Sequence, residues 1–202
     1  MKTKVKICGI RTSEQAFIAY EAGADFLGLQ FVPSSKRVVD VAEARKMSDR
    51  LKGKIPLVGV FQNQPPDEVN RISREINLDY AQLHGNEDIE YCKKMVVPVI
   101  KSFCLPFGFD PADTLVLMKK YIAAFFLIDR EKRGEGKMLP IKNAALLANT
   151  YPVFLAGGLT PENVLEAVKN VKPYAVDVAS GIETEGIPDS GKIRLFIQHA
   201  KQ

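Results

Sequence analysis

Phe26-Leu27-Gly28-Leu29-Gln30-Phe31 is a short apolar run, and Leu57-Val58-Gly59-Val60-Phe61 is a second. Between them Asp40 to Leu51 has helical spacing and closes near Gly53. Runs this short and this apolar suit parallel strands buried on both faces. The same alternation extends outward in both directions. Upstream stands Val5-Lys6-Ile7-Cys8, then a helical segment from Ser13 to Ala22 that opens on an N-cap residue type and stops before Gly23. Downstream come Tyr80-Ala81-Gln82-Leu83, Val97 to Lys101, Ala124 to Ile128, Pro152 to Leu155 and Tyr174 to Asp177. Helices are predicted over Pro66 to Ile76, Asn86 to Met95, Thr160 to about Asn170 and Asp189 to Lys201, with weaker signals over 110–120 and 140–149.

Eight alternating units in 202 residues leave few architectures. An open doubly wound sheet usually carries a G-x-G-x-x-G first turn, and none is present. The α/β reading that accounts for the even count and spacing is one closed (β/α)8 TIM barrel spanning residues 1–202 as a single domain. The longest irregular stretch, Arg130 to Leu139, is rich in glycine and charge and is expected to act as a lid.

The hydrophobic share of 46% and charged share of 26% suit a globular chain that builds its core without disulfides or metal. A net charge of +4 is scattered and broken by acids, which argues against nucleic acid and leaves room for a small anionic substrate. Cys8, Cys92 and Cys104 are odd in number and far apart, so neither a disulfide framework nor a zinc site is expected. Only His84 can reach the barrel mouth, since His199 falls in the terminal helix with an expected surface role; no metal is expected. No membrane-spanning run and no apolar leader stand out, and the expected location is the cytoplasm.

In a barrel, chemistry gathers at the C-terminal ends of strands. Those positions hold Cys8-Gly9, the Ser34-Ser35-Lys36-Arg37 stretch, Gln82 and His84, Asp129-Arg130, Gly157-Gly158, and Asp177 with Ser180-Gly181. Gly157, Gly158, Ser180 and Gly181 follow the last two strands, where barrels often bind phosphate, and glycines let backbone N–H groups approach its oxygens. A thiol such as Cys8 serves as a base if positive charge stabilises its thiolate, and is otherwise a small buried hydrophobe. Asp129 ends an apolar run, where desolvation suits a general acid; a cap or an ion pair with Arg130 or Lys132 is the alternative. Cys92 and Cys104, the latter just past the fifth strand, are assigned to packing or the surface.

In order along the chain, several segments resemble the phosphoribosylanthranilate isomerase family: Lys6-Ile7-Cys8-Gly9-Ile10, Pro33-Ser34-Ser35-Lys36-Arg37, Gln82-Leu83-His84-Gly85, Leu127-Ile128-Asp129, Ala156-Gly157-Gly158-Leu159 and Val176 to Glu183. The resemblance implies an aldose–ketose isomerase of tryptophan biosynthesis that needs no cofactor and acts on N-(5-phosphoribosyl)anthranilate. It implies Asp129 as acid and Cys8 as base. Arg37 would contact the anthranilate carboxylate and favour the Cys8 thiolate. Gln82, His84 and Asp177 would line the pocket and orient the ribose, with the glycine loops on the phosphate. Partners would be the phosphorylated substrate and, at most, a second copy of the chain. The chain departs from the family after Asp129, where Arg133-Gly134-Glu135-Gly136-Lys137 replaces a glycine-rich and Phe-Asp-Trp stretch, and at Arg11, where the family has threonine. Competing readings are an isomerase of another phosphorylated aminosugar and a phosphate-binding barrel without catalysis.

Overall fold

The computed structural model describes residues 2–131 and 138–202. Strands β1 (Lys4–Ile10), β2 (Phe26–Gln30), β3 (Leu57–Phe61), β4 (Tyr80–Leu83), β5 (Val99–Leu105), β6 (Phe125–Arg130), β7 (Val153–Leu155) and β8 (Ala175–Val178) follow one another in chain order around a closed barrel. All neighbours are parallel, and β8 closes on β1 with Lys6 opposite Asp177. Helices α1 (Ser13–Glu21), α2 (Val41–Leu51), α3 (Pro66–Glu75), α4 (Ile89–Lys93), α5 (Pro111–Met118), α6 (Ile141–Thr150), α7 (Val164–Val171) and α8 (Ser190–Ala200) alternate with them. This is the (β/α)8 barrel that the alternation predicts. Among the described residues no helix is long and apolar enough to cross a membrane.

Side chains alternate between the two faces of a strand, so each strand contributes one column to the interior and one to the helices. The outward column, with Val5, Ile7, Leu27, Leu29 and Leu83, packs with the helices into the main core. The inward column forms a separate cluster of Phe26, Val58, Ile100, Leu127, Phe154 and Ala175. Phe26, Tyr80, Phe125, Phe154 and Tyr174 lie ring against ring and plug the N-terminal end of the barrel. Two residues further along the same columns the composition changes. Phe26 leads to Gly28 and Gln30, Tyr80 to Gln82, Leu127 to Asp129, and Ala175 to Asp177. An apolar floor beneath a polar mouth is therefore written into the period-two pattern of the strands.

Four of the boundaries that differ from the sequence expectation have a local reason. Thr12, not Ser13, caps α1, its hydroxyl accepting from the Gln15 N–H. Helix α4 starts after Asp88 rather than at Asn86: Asp88 is extended and is the cap, its carboxylate accepting the Tyr91 N–H, while the Asn86 N–H goes to Asn63 Oδ1 in the turn before it. Helix α7 starts after Asn163, whose side chain is spent bracing the preceding loop through Thr160 and Gly158. Strand β5 runs on to Leu105, so Cys104 lies within it, opposite Asp129 on β6. His199 is half-buried rather than a surface residue, with Nδ1 2.6 Å from the Pro161 carbonyl. Of the expected lid, residues 132–137 lie outside the described residues.

Candidate active site

At the C-terminal ends of the strands the polar half of the interior opens into a cavity of about 640 Å3. Ten of the residues singled out from strand-end position line it: Cys8, Arg37, Gln82, His84, Asp129, Gly157, Gly158, Asp177, Ser180 and Gly181.

Cys8 sits on the inner column of β1 and is buried. Room for its sulfur comes from Gly28 on β2, where a Cβ would stand 2.6 Å from Cys8 Sγ and 3.0 Å from Lys6 Nζ. Burial is the largest influence on the thiol and pushes its pKa above the ordinary value; Lys6 pulls it down most strongly, Asp177 pushes it up, and Arg37 pulls it down less. Lys6 thus joins Arg37 as a cation that acts on the thiol. Arg37 itself is held bidentately by Glu183, at 2.5 Å to Nε and 2.6 Å to Nη2, and these bonds are the first cause of its raised pKa.

Asp129 is half-buried at the end of β6, across the barrel from β1. Its Oδ1 accepts the Arg130 N–H at 2.8 Å, and its Oδ2 lies 3.7 Å from His84 Nε2. The other ring nitrogen of His84 lies 3.3 Å from Gln82 Nε2, and Cys104 Sγ lies 3.7 Å from Nε2. The imidazole is thereby set beside the carboxyl. Gly157 adopts φ +87°, and a Cβ there would stand 2.7 Å from Asp129 Oδ1. Only glycine lets the loop after β7 take this left-handed turn against the acid. Ser180 and Gly181 continue from β8 in a single 3-10 turn, Ser180–Ile182.

Strand-end reasoning missed part of the lining. Gln30 follows Phe26 and Gly28 on the inner column, and Gln62 lies just past β3. The side-chain carbonyls of Gln30 and Gln82 are buried with no hydrogen-bond partner among the described residues, which offers two acceptors toward the cavity. Column parity, extended one step up each strand, would have found Gln30. The departure at Arg11 has a structural use: its guanidinium donates to the Gly186 carbonyl at 2.9 Å, tying the turn between β9 (Glu183–Thr184) and β10 (Ile187–Pro188) to β1.

A (β/α)8 barrel that gathers a thiol, a carboxyl and two glycine loops into one cavity at its strand ends has the layout of a barrel enzyme acting on a small molecule. The sequence model of the N-(5'phosphoribosyl)anthranilate (PRA) isomerase family matches residues 5–199. The N-(5'-phosphoribosyl)anthranilate isomerase of Trichlorobacter lovleyi is 40% identical over 207 residues, covering 98% of each chain. Among solved structures, phosphoribosyl anthranilate isomerase from Thermotoga maritima matches with a TM-score of 0.89 at 34% identity, covering 98% of each chain. A phosphoribosyl anthranilate isomerase in complex with reduced 1-(o-carboxyphenylamino)-1-deoxyribulose 5-phosphate matches with a TM-score of 0.83 at 34% identity, again over 98% of each. The chain belongs to the PRA isomerase family.

Proposed function

We propose that residues 1–202 act as one catalytic barrel that isomerises N-(5-phosphoribosyl)anthranilate to 1-(2-carboxyphenylamino)-1-deoxyribulose 5-phosphate, a step of tryptophan biosynthesis in the cytoplasm. The observation that carries the reading is the meeting of Cys8 and Asp129 in one cavity with the glycine loops after β7 and β8. Asp129 gives its proton to the ring oxygen, and the C1–O bond breaks to leave an iminium. The Cys8 thiolate takes the proton from C2, and the C–H electron pair neutralises the iminium nitrogen as an enolamine. Tautomerisation makes C2 a carbonyl and C1 a methylene, so C2 is oxidised and C1 reduced within one molecule. The iminium is its own electron sink, and the chemistry calls for no cofactor. Gly157, Gly158, Ser180 and Gly181 receive the phosphate, Arg37 the anthranilate carboxylate, and Gln82, His84 and Asp177 the ribose.

The test follows the loss of anthranilate fluorescence under turnover. Cys8→Ala and Asp129→Asn are each expected to lower kcat by roughly 10²–10⁴-fold while a reduced product analogue still binds. Wild-type turnover in either variant would remove that residue from its role. Turnover of a non-aromatic aminoaldose phosphate at equal kcat/KM would displace the proposed substrate.

A further inference from the structure

Lys6 stands on the inner column of β1, one step below Cys8, with no exposed surface. Its Nζ lies 2.6 Å from Asp177 Oδ1 on β8, and it shares with the Cys8 sulfur the space beside Gly28, where a Cβ would stand 3.0 Å from Lys6 Nζ and 2.6 Å from Cys8 Sγ. Burying an ammonium in the middle of a barrel is costly, and an apolar side chain would fill the volume at less expense. Both partners of this charge line the cavity, although Lys6 itself does not.

We infer that Lys6 is a positioning residue for the reaction: Asp177 holds its ammonium beneath the cavity, and the ammonium sets how readily the Cys8 thiol ionises. This rests on the reading of Cys8 as the base. The charged groups facing Cys8 are Lys6 from its own strand, Asp177 from β8 and Arg37 from the loop after β2; the neighbouring column of β2 presents only Gly28 and Gln30. His84 and Asp129 occupy other parts of the same wall. Burial acts to lower the pKa of Lys6, but the Asp177 and Cys8 charges outweigh it and the pKa stands above the ordinary lysine value. The 2.6 Å contact with the Asp177 carboxylate favours the ammonium form of Lys6. The Cys8 thiol has its route to solvent through the cavity it lines.

The arrangement makes Asp177 and the thiolate competitors for one cation, and this gives the two partners opposite signatures. Without Lys6 the thiolate loses its closest cation and ionises at higher pH. Without the charge of Asp177 the ammonium has the thiolate as its remaining anionic partner, and Cys8 ionises at lower pH. A lysine that only filled space or braced the strands would lower activity in either variant with the ionisation unmoved.

The experiment measures the rate of Cys8 carboxamidomethylation by iodoacetamide against pH, read on the Cys8 peptide by mass spectrometry. The proteins are the wild type, Lys6→Met and Asp177→Asn. The midpoint is expected to rise by about one unit or more in Lys6→Met and to fall in Asp177→Asn. The rising limb of kcat/KM against pH is expected to move with it. Unmoved midpoints, or shifts in the same direction, overturn the inference. If Lys6→Met does not fold, Asp177→Asn decides alone: a lowered midpoint supports the inference and any other overturns it. Full activity in Cys8→Ala would remove Cys8 as base, while the alkylation midpoints would still report on Lys6.

Discussion

Two lysines are buried on barrel strands beside carboxylates, and they point opposite ways. Lys101 on β5 belongs to the outward column. Its Nζ donates to the Glu87 carboxylate at 2.8 Å and the Gly85 carbonyl at 2.7 Å, with the Leu83 carbonyl at 3.4 Å. Glu87 in turn accepts the N–H groups of Asn63 and Gly85. Ion and counter-ion are saturated by the fold, and together they clamp the turn that follows His84. Lys6 points inward, and its partners are a carboxylate and a thiol that both face the cavity. A buried charge whose partners are all backbone and carboxylate holds the architecture. One whose partners border the cavity is open to the reaction.

The largest expected effect breaks the clamp. Lys101→Met leaves Glu87, with 1% of its side chain exposed, without its counter-ion, and removing one member of a buried pair costs about 3–5 kcal/mol. For a chain of this size that is a fall in Tm of roughly 6–20 °C, measurable by calorimetry. Lys6→Met should cost less, because Asp177 borders the cavity and water can reach it. The Cys8 alkylation midpoint should move in Lys6→Met and stay fixed in Lys101→Met. Equal Tm losses with equal midpoints in the two variants would erase the contrast.

A third pair stands between these cases. Arg37 and Glu183 are partly buried at the cavity edge, with 13% and 6% of their side chains exposed. Glu183→Gln keeps the shape and removes the charge that fixes the guanidinium, and a charged hydrogen bond of this kind is worth about 1.5–3 kcal/mol. A moderate drop in Tm is expected. If Arg37 receives the substrate carboxylate, the kinetic change should fall on KM, since the proposed acid Asp129 and the proposed base Cys8 are untouched. A loss confined to kcat would instead tie the pair to the chemistry.

The contrast between the lysines also shows what the chain discloses before it folds. The eight strands are readable because parallel strands covered on both faces need apolar runs. The strand-end candidates are readable because barrel geometry puts chemistry there. The end of β5 was missed because Ser102 and Cys104, on the inner column near the mouth, break the apolar run. The start of α4 was missed because the cap is Asp88, two residues past Asn86, and Gly85 and Asn86 belong to a turn braced by Glu87 and by Asn63, the latter a partner from another loop. Lys6 went unread as a functional residue because its partner is 171 positions away, on the strand that closes the barrel. Local pattern reports which face a residue takes, but it does not name the charge that meets it there.

The smallest expected effect tests whether burial, rather than pairing, makes these lysines matter. Arg71 and Glu75 on α3 form an ion pair at 2.8 Å, with 60% and 33% of their side chains exposed. The arginine precedes the glutamate by one helical turn, which is the less favourable order against the helix dipole. Glu75 also keeps Arg45 at 3.3 Å when Arg71 is removed. Arg71→Ala should therefore change stability by under about 0.5 kcal/mol, and even that should vanish near 1 M salt, where screening acts within about 3 Å. The pair is nearly as short as Lys6–Asp177, so a comparable loss of stability would mean that distance alone governs these bridges. A Tm within about 2 °C of wild type, beside the large fall in Lys101→Met, would leave desolvation as the term that separates them.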